Sequence, residues 1–235
     1  MGDPLAEYRE SVLSQAINRD LLDGLGCGWR SLDYLPTVEG LATCPPQLTP
    51  RVVARLDREM ERRYWRGGLW PRRRAARWGW KDPRTSVLIP VWHAVFPDAT
   101  FVHIFRDGRS VARSLYERDL ETLGRTDVVD DAGRRARFRK DITLWENYER
   151  RIRESLPRFG RCVSIRYESL LESPRDPLIR LVDALELGSP LSLKDLERSV
   201  DRGRGCRPWP SWTEGLAEDN PLLNELGYSR SGSEP

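Results

Sequence analysis

The chain has 235 residues, of which 39% are hydrophobic and 32% charged, a composition typical of one globular domain and not of a disordered or fibrous protein. Its 39 Lys and Arg residues nearly balance 36 Asp and Glu residues, so the net charge is +3 and any anion site must be local. No apolar run reaches the roughly 20 residues of a membrane span, and the first residues show no signal-peptide pattern. We therefore expect a cytoplasmic protein.

The N-terminal part, residues 1–77, is predicted to be helical. Apolar residues at helical spacing indicate an amphipathic helix from Leu5 to Leu25, with glycines as its C-terminal stop. The proline-containing stretch from Gly26 to Pro50 is predicted to be a loop. A threonine N-cap followed by proline then predicts a second helix from Pro50 to about Trp65.

Residues 78–187 alternate short β-rich runs with segments of helical spacing, which predicts an α/β core of parallel strands and crossover helices. The predicted strands are Trp78–Trp80, Thr100–Phe105 and Cys162–Ile165, and the predicted helices are Thr85–Val95, Gly108–Thr122, Ala132–Leu156 and Pro177–Leu187. Residues 188–235 form a tail with one short predicted helix, Ser192–Val200. We expect a single domain over residues 1–235.

Neither the cysteines nor the histidines indicate a metal site. The four cysteines lie far apart without the spacing of a metal site or a redox dithiol. Both histidines, His93 and His103, fall within apolar patterns, where a core histidine with satisfied hydrogen bonds is the favoured interpretation.

The segment from Phe101 to Ser114 places Arg106 at the carboxyl end of a predicted strand, just before a helix that begins at Gly108. Ligands bind at this edge of an open α/β sheet, and a helix N-terminus together with an arginine fork suits phosphate oxygens. The Ser114 hydroxyl lies two turns along the same helix. The alternative is a junction in which Arg106 and Asp107 merely form a capped turn.

The segment from Lys81 to Arg84 has the same layout at the end of another short predicted strand. Only three of the 39 cationic residues are lysines, so a lysine within such a segment is notable. A lysine can follow a moving negative group, whereas an arginine clamps a fixed one. The alternative is that Lys81 and Arg84 pair with nearby acids.

Three blocks, Lys81-Asp-Pro-Arg84, Arg106 to Ser114 and Arg166 to Pro174, resemble the sulfotransferase family in order and spacing. The similarity is to the bacterial type that uses 3'-phosphoadenosine-5'-phosphosulfate, and it spans about Leu5 to Leu187. It implies a five-stranded, P-loop-kinase-like parallel sheet flanked by helices, and a sulfuryl transfer that needs no metal.

The resemblance also implies roles for individual residues. Arg106 and Ser114 would hold the 3'-phosphate of the donor, and Tyr167 would lie near the nucleotide. Arg84 is a further candidate for binding the donor, because of its position after a predicted strand and not because of the resemblance. Lys81 matches the lysine that approaches the sulfuryl group. The family's frequent histidine base falls at the position of Pro83, so Asp82 is the nearest candidate base. Glu168 is expected to cap the turn that follows it.

One part of the family pattern has no counterpart in the chain. Relatives open with a strand and a Ser-Gly-Thr loop that cradles the 5'-phosphosulfate, whereas Gly24 to Gly28 has no Lys, Ser or Thr and follows a predicted helix. The resemblance thus implies that the first strand and the phosphate loop are missing. A catalytically inactive, truncated protein that binds nucleotides or polyanions is the alternative function.

A basic stretch supports the polyanion version of that alternative. Arg62 to Arg77 contains seven arginines, no acid and three interspersed aromatic residues, a composition that suits sulfated polymers or nucleic acid. The alternatives are a surface loop that faces anions without specificity and a collar that guides the anionic donor to the site, and nucleic acid is the less favoured partner. The expected acceptor is a small molecule or a glycan; the sequence does not indicate the oligomeric state.

Overall fold

The computed structural model of the chain describes residues 12–43, 50, 52, 54–55, 79–123, 130–187, 192–201, 215–217 and 220–228. The elements in chain order are α1 (Val12–Gly24), α2 (Val38–Thr43), a 3-10 helix (Pro83–Val87), α3 (Ile89–Val95), β1 (Thr100–Phe105), α4 (Gly108–Leu123), α5 (Asp131–Ser155), β2 (Arg161–Arg166), α6 (Tyr167–Glu172), α7 (Arg175–Ala184), α8 (Leu193–Ser199) and α9 (Pro221–Glu225). The chain is therefore a helix-rich α/β protein, as predicted.

The described residues form one sheet of two parallel strands, β1 and β2. Their register runs from Thr100 opposite Arg161 to Phe105 opposite Arg166, so both strands end at the same level. Helices α4 and α5 form the connection between them, which is the crossover that parallel strands require. The five strands that the resemblance implies stay a prediction, since two lie within the described residues.

The first of two units into which the chain divides comprises Met1–Ala99 and Arg151–Gly160. Its core is built where α1, α2, the 3-10 helix and α3 bury apolar side chains, among them Ile17, Leu22, Leu41, Val87 and Trp92. Helix α1 ends as predicted, because Gly26 adopts a positive φ of 71° that a non-glycine residue rarely takes.

The second unit comprises Thr100–Arg150 and Arg161–Pro235. One of its clusters contains Ala112, Phe138, Ile142 and Leu216. Another joins Trp145 on α5 to Leu222, Leu223 and Tyr228 of the C-terminal part. The part of the tail after Val200, for which the sequence pattern predicted no element, thus contributes to the core of this unit. The single domain predicted from the sequence stays a prediction.

Three sequence predictions before β1 are wrong in whole or in part. Gly79 and Trp80 are not in a strand, and the helix predicted over Thr85–Val95 is divided into the 3-10 helix and α3. A proline lies at the first position of the 3-10 helix and at the second position of α3, and since proline donates no backbone hydrogen bond it favours a new helix start over a continuous ladder. The predicted loop Gly26–Pro50 contains the short helix α2.

Other predictions lie largely outside the described residues. Of the second helix, Pro50 to Trp65, only residues 50, 52, 54 and 55 are described, and they are helical. The basic stretch Arg62 to Arg77 is wholly outside them. None of the helices formed by the described residues combines the length and apolar character that crossing a lipid bilayer requires.

Candidate functional site: the carboxyl edge of β1 and β2

Arg106 and Tyr167 leave the sheet side by side, because each directly follows the last residue of its strand and those last residues are paired. The Arg106 Cζ atom lies 4.6 Å from the centroid of the Tyr167 ring, a cation–π stack. Both side chains are partly buried. The geometry therefore brings together two of the residues predicted to bind nucleotide.

The turn between β1 and α4 is fixed by Asp107. Its Oδ1 atom accepts a hydrogen bond of 2.8 Å from the Arg109 backbone N–H, as an N-cap carboxylate does. Its Oδ2 atom accepts one of 2.6 Å from Arg109 Nη2. The sequence alternative of a capped turn is correct in part: Asp107 caps the helix, but it pairs with Arg109 and not with Arg106.

Glu168 joins this turn to the second strand. Its Oε1 atom accepts a hydrogen bond of 3.1 Å from the Asp107 backbone N–H. Its Oε2 atom accepts one of 2.7 Å from the Tyr228 hydroxyl and lies 3.5 Å from Arg166 Nε. The expectation that Glu168 caps the turn after it is wrong, because both carboxylate oxygens are engaged across the edge instead.

Tyr228, in the C-terminal part of the chain, packs against this edge and is only 5% exposed. The Arg166 Cζ atom lies 4.2 Å from the centroid of the Tyr228 ring. The backbone carbonyl of Tyr228 accepts a 2.9 Å hydrogen bond from Arg109 Nη2. Burial, followed by the hydrogen bond to the Glu168 carboxylate, raises the pKa of Tyr228 well above its usual range. The phenol therefore stays a donor throughout the physiological range.

Sequence analysis did not identify Tyr228, although a local signal points to the helix before it. Asn220 followed by Pro221 is a helix-start pattern, and the Asn220 side chain accepts from the backbone N–H groups of Leu222 and Leu223. Asn220 also donates 2.9 Å to Glu146 on α5. Helix α9 is thereby anchored, and Tyr228 follows three residues after its end.

The arginines at this edge differ in whether a neighbouring carboxylate neutralises their charge. Arg109 is bonded to Asp107, and Arg166 lies against Glu168. Among the described residues, no carboxylate lies within ion-pair distance of the Arg106 guanidinium, whose contact is the face of Tyr167. Ser114 is exposed on α4, six residues after the helix begins. Arg106 thus retains N–H donors for an external anion.

The other predicted site residues belong to the first unit, where Asp82 is the centre of a buried network. The Asp82 side chain is fully buried, and its Oδ1 atom accepts two 3.0 Å hydrogen bonds, from the backbone N–H and from Nε of Arg84. Its Oδ2 atom accepts one of 2.9 Å from Asn18 Nδ2. Asn18 in turn accepts 2.7 Å from Trp92 Nε1. This carboxylate caps and fixes the 3-10 helix.

These contacts bear on Lys81, Asp82 and Arg84 differently. Arg84 pairs with a nearby acid, the outcome that the sequence analysis gave as its alternative. Lys81 is exposed immediately before the capped 3-10 helix. The catalytic roles assigned to Lys81 and Asp82 stay predictions, and the buried network favours a positioning role for Asp82.

His103 has hydrogen-bond partners at both ring nitrogens, as expected, whereas the buried Nδ1 atom of His93 has none among the described residues, contrary to the expectation. His103 bridges Glu149, at 3.3 Å from Nε2, and Ser164, at 3.4 Å from Nδ1. His93 packs against Phe159, with ring centroids 5.5 Å apart. In the part of the chain that the structure describes, no cluster of three or more His, Cys, Asp or Glu side chains is arranged to hold a metal ion.

Comparisons with known proteins identify the family of the chain. The model of the sulfotransferase family matches residues 42–190, more than half of the chain and including both strands of the edge. The chain therefore belongs to the sulfotransferase family. No solved structure matches it.

Curated relatives are distant and longer. A "Putative protein-tyrosine sulfotransferase" of Caenorhabditis briggsae is 24% identical over 183 residues, and one of Caenorhabditis elegans is 24% identical over 185 residues. Protein-tyrosine sulfotransferase A of Caenorhabditis elegans is 25% identical over 181 residues. Each match covers 66% of this chain, but 61%, 66% and 46% of the respective relatives.

Proposed function

We propose that the chain is a sulfotransferase that uses 3'-phosphoadenosine-5'-phosphosulfate, and that the carboxyl edge of β1 and β2 binds the 3'-phosphate of this donor. One observation carries the proposal: Arg106, alone among the edge arginines described, has no carboxylate beside it and is held on an aromatic face. An arginine of this kind offers a planar fork to phosphate oxygens.

The remaining donor contacts follow from the family's pattern. Ser114 supplies a hydroxyl to the same phosphate, and Tyr167 orients Arg106 and borders the nucleotide. The Arg106 Cζ atom lies over the face of the Tyr167 ring, so the charge of the guanidinium is held in place by a contact other than a carboxylate. A P-loop-kinase-like sheet of the bacterial type, in one cytoplasmic domain, belongs to the same proposal.

Lys81 acts on the transferred group. The acceptor oxygen or nitrogen forms a bond to sulfur while the bond from sulfur to the phosphate oxygen breaks; adenosine 3',5'-bisphosphate leaves, and the acceptor proton is released to solvent. Such a step requires positioning and charge stabilisation more than covalent help. Asp82 and Arg84 form the buried base from which Lys81 projects, and a positioning role for both is consistent with their mutual hydrogen bonds.

The acceptor is a hydroxyl or amine compound, and two classes are worth separating. A small molecule or a glycan is the acceptor expected at the outset, although no sequence motif selects between acceptor classes. The names of the relatives point instead to tyrosine side chains of proteins, although each relative is distant from this chain. A panel of a small phenol, a tyrosine-containing acidic peptide and an amino sugar distinguishes them in one labelled-donor assay.

The first test of the proposal is binding of adenosine 3',5'-bisphosphate by calorimetry. A hydrogen bond to a charged group is worth about 1.5–3 kcal/mol, so Arg106→Ala should lose roughly tenfold or more in affinity. Arg106→Lys, which keeps the charge but loses the fork, should fall between. Arg118→Ala removes a charge further along α4 and should bind normally. Equal affinity of Arg106→Ala and the unmodified chain would refute the assignment.

The second test separates turnover from binding. Lys81→Ala should reduce kcat with little change in nucleotide affinity, because a cation aimed at the transferred group acts on the transition state. Lys140→Ala, another exposed lysine, is the matched control. Bisphosphate binding without any sulfuryl transfer would favour the alternative, an inactive nucleotide-binding protein.

A further inference from the structure

Tyr228 contacts the residue before Arg106 directly and is linked to the residue after it through Glu168. Its ring meets Phe105, the residue before Arg106, in an edge-to-face contact with centroids 6.5 Å apart. Its hydroxyl donates to Glu168, which accepts from the backbone of Asp107, the residue after Arg106.

The backbone of Tyr228 adds a third contact to this turn. Its carbonyl accepts from Arg109, and Arg109 is bonded to the carboxylate of Asp107 through the same Nη2 atom. The Asp107 backbone N–H is therefore hydrogen bonded to Glu168, and the Asp107 carboxylate is hydrogen bonded to Arg109. Both of these partners are held by Tyr228.

Glu168 also links this arrangement to the aromatic platform under Arg106. It is adjacent in sequence to Tyr167, on which the guanidinium stacks, so one short segment supports both the cation and the turn. The segment that carries Tyr228 is well packed, because Leu222 and Leu223 are each 1% exposed and pack with Trp145. The C-terminal segment from Asn220 to Tyr228 is thus built against the edge.

From these contacts we infer that Tyr228 is a positioning residue of the anion site: through Glu168 and Asp107 it fixes the direction in which the Arg106 guanidinium points. This inference rests on the proposed function, since it assigns to the edge the recognition of a nucleotide 3'-phosphate. Tyr228 touches no ligand itself. Its effect is expected only on ligands that Arg106 contacts.

Tyr228→Phe is the decisive variant, because it keeps the ring in the core and under Arg166 and removes only the hydroxyl. The 235-residue chain is titrated with adenosine 3',5'-bisphosphate and with adenosine 5'-monophosphate, which lacks the 3'-phosphate. Loss of a hydrogen bond to a carboxylate should reduce the preference for the bisphosphate about tenfold. Affinity for the monophosphate should not change.

Two further variants separate positioning from general stability. Ile142→Val loosens another cluster of the same unit and should lower the melting temperature without altering nucleotide preference. Glu168→Gln removes the charged acceptor and should reproduce the loss seen in Tyr228→Phe. In an Arg106→Ala background, Tyr228→Phe should have no further effect on bisphosphate affinity, because the group it positions is gone.

The outcomes are distinguishable from failure of the proposed function. If the unmodified chain shows no preference for the bisphosphate, the proposed function fails and this inference with it. If the unmodified chain prefers the bisphosphate and both Tyr228→Phe and Glu168→Gln retain that preference, the inference alone is overturned. An additive loss in the Arg106→Ala background would likewise overturn it.

Discussion

Gly108, the first residue of α4, offers a direct test of how the helix is seated behind the candidate site. A Cβ atom added there would lie 2.4 Å from the Cδ2 and Cε3 atoms of Trp145 and 2.7 Å from Cζ3. Ordinary contacts begin at about 3.4 Å, so the ring or the helix start must move by about 1 Å. Because Trp145 is only 6% exposed, the ring has little room to move.

The free energy of unfolding of Gly108→Ala follows from two opposing contributions. Overpacking of this kind costs about 1–3 kcal/mol, whereas glycine to alanine in a helix gains about 0.5–1 kcal/mol. The contact with several ring atoms favours the upper part of the first range, so we expect a net loss of about 1–2 kcal/mol. For a chain of this size that lowers Tm by roughly 2–8 °C.

Gly24→Ala is the matched control, because a Cβ atom at this helical glycine meets nothing within 4 Å. It should leave the stability unchanged or raise it by about 0.5 kcal/mol. Thermal and urea unfolding of the two variants provide the comparison, and bisphosphate titration shows whether the turn that carries Arg106 has shifted. Equal stability of the two variants would refute the close packing of α4 on Trp145.

Three further predictions concern residues that support the carboxyl edge of β1 and β2 or the buried Asp82 network. Since the pKa of Tyr228 is raised in the folded state, its stabilising contribution is complete below pH about 10 and is lost as the pH rises beyond that value, so Tyr228→Phe should flatten the alkaline limb of a stability–pH profile. Asn18→Ala leaves Trp92 Nε1–H and the Asp82 carboxylate each short of a partner, and should cost about 2–3 kcal/mol in urea unfolding; a loss below 0.5 kcal/mol would contradict the buried network. Leu223 is 1% exposed, so Leu223→Ala leaves a cavity and should lower the free energy of unfolding by about 2–5 kcal/mol; a loss below about 0.5 kcal/mol would show that the C-terminal segment does not pack on Trp145.

The sequence predicted the elements whose signal is local. The bounds of β1 match, and α5 begins and ends one residue earlier than predicted, because side-chain alternation and helical spacing are properties of consecutive residues. The segment at Trp80 failed for a physical reason: a short aromatic run becomes a strand only where a neighbouring strand pairs with it. Here Trp80 donates instead to Thr85 in the 3-10 helix.

Parts of the candidate site were beyond any local pattern. Arg106 was found because strand, arginine and helix start are contiguous, and its stack on Tyr167 follows from strand register. The contacts of Tyr228 cross 60 residues to Glu168 and 119 to Arg109, and no spacing rule connects positions so far apart. Likewise, the burial of Asp82 depends on Asn18, 64 residues away.

A crystal structure determined after soaking crystals of the chain with adenosine 3',5'-bisphosphate would show whether Arg106, at the carboxyl edge of β1 and β2, binds the 3'-phosphate. We expect oxygens of the 3'-phosphate to lie within about 3 Å of the Arg106 guanidinium and of the Ser114 hydroxyl, with Tyr167 still beneath the arginine. A nucleotide bound elsewhere on the chain, with Arg106 making no phosphate contact, would contradict this expectation.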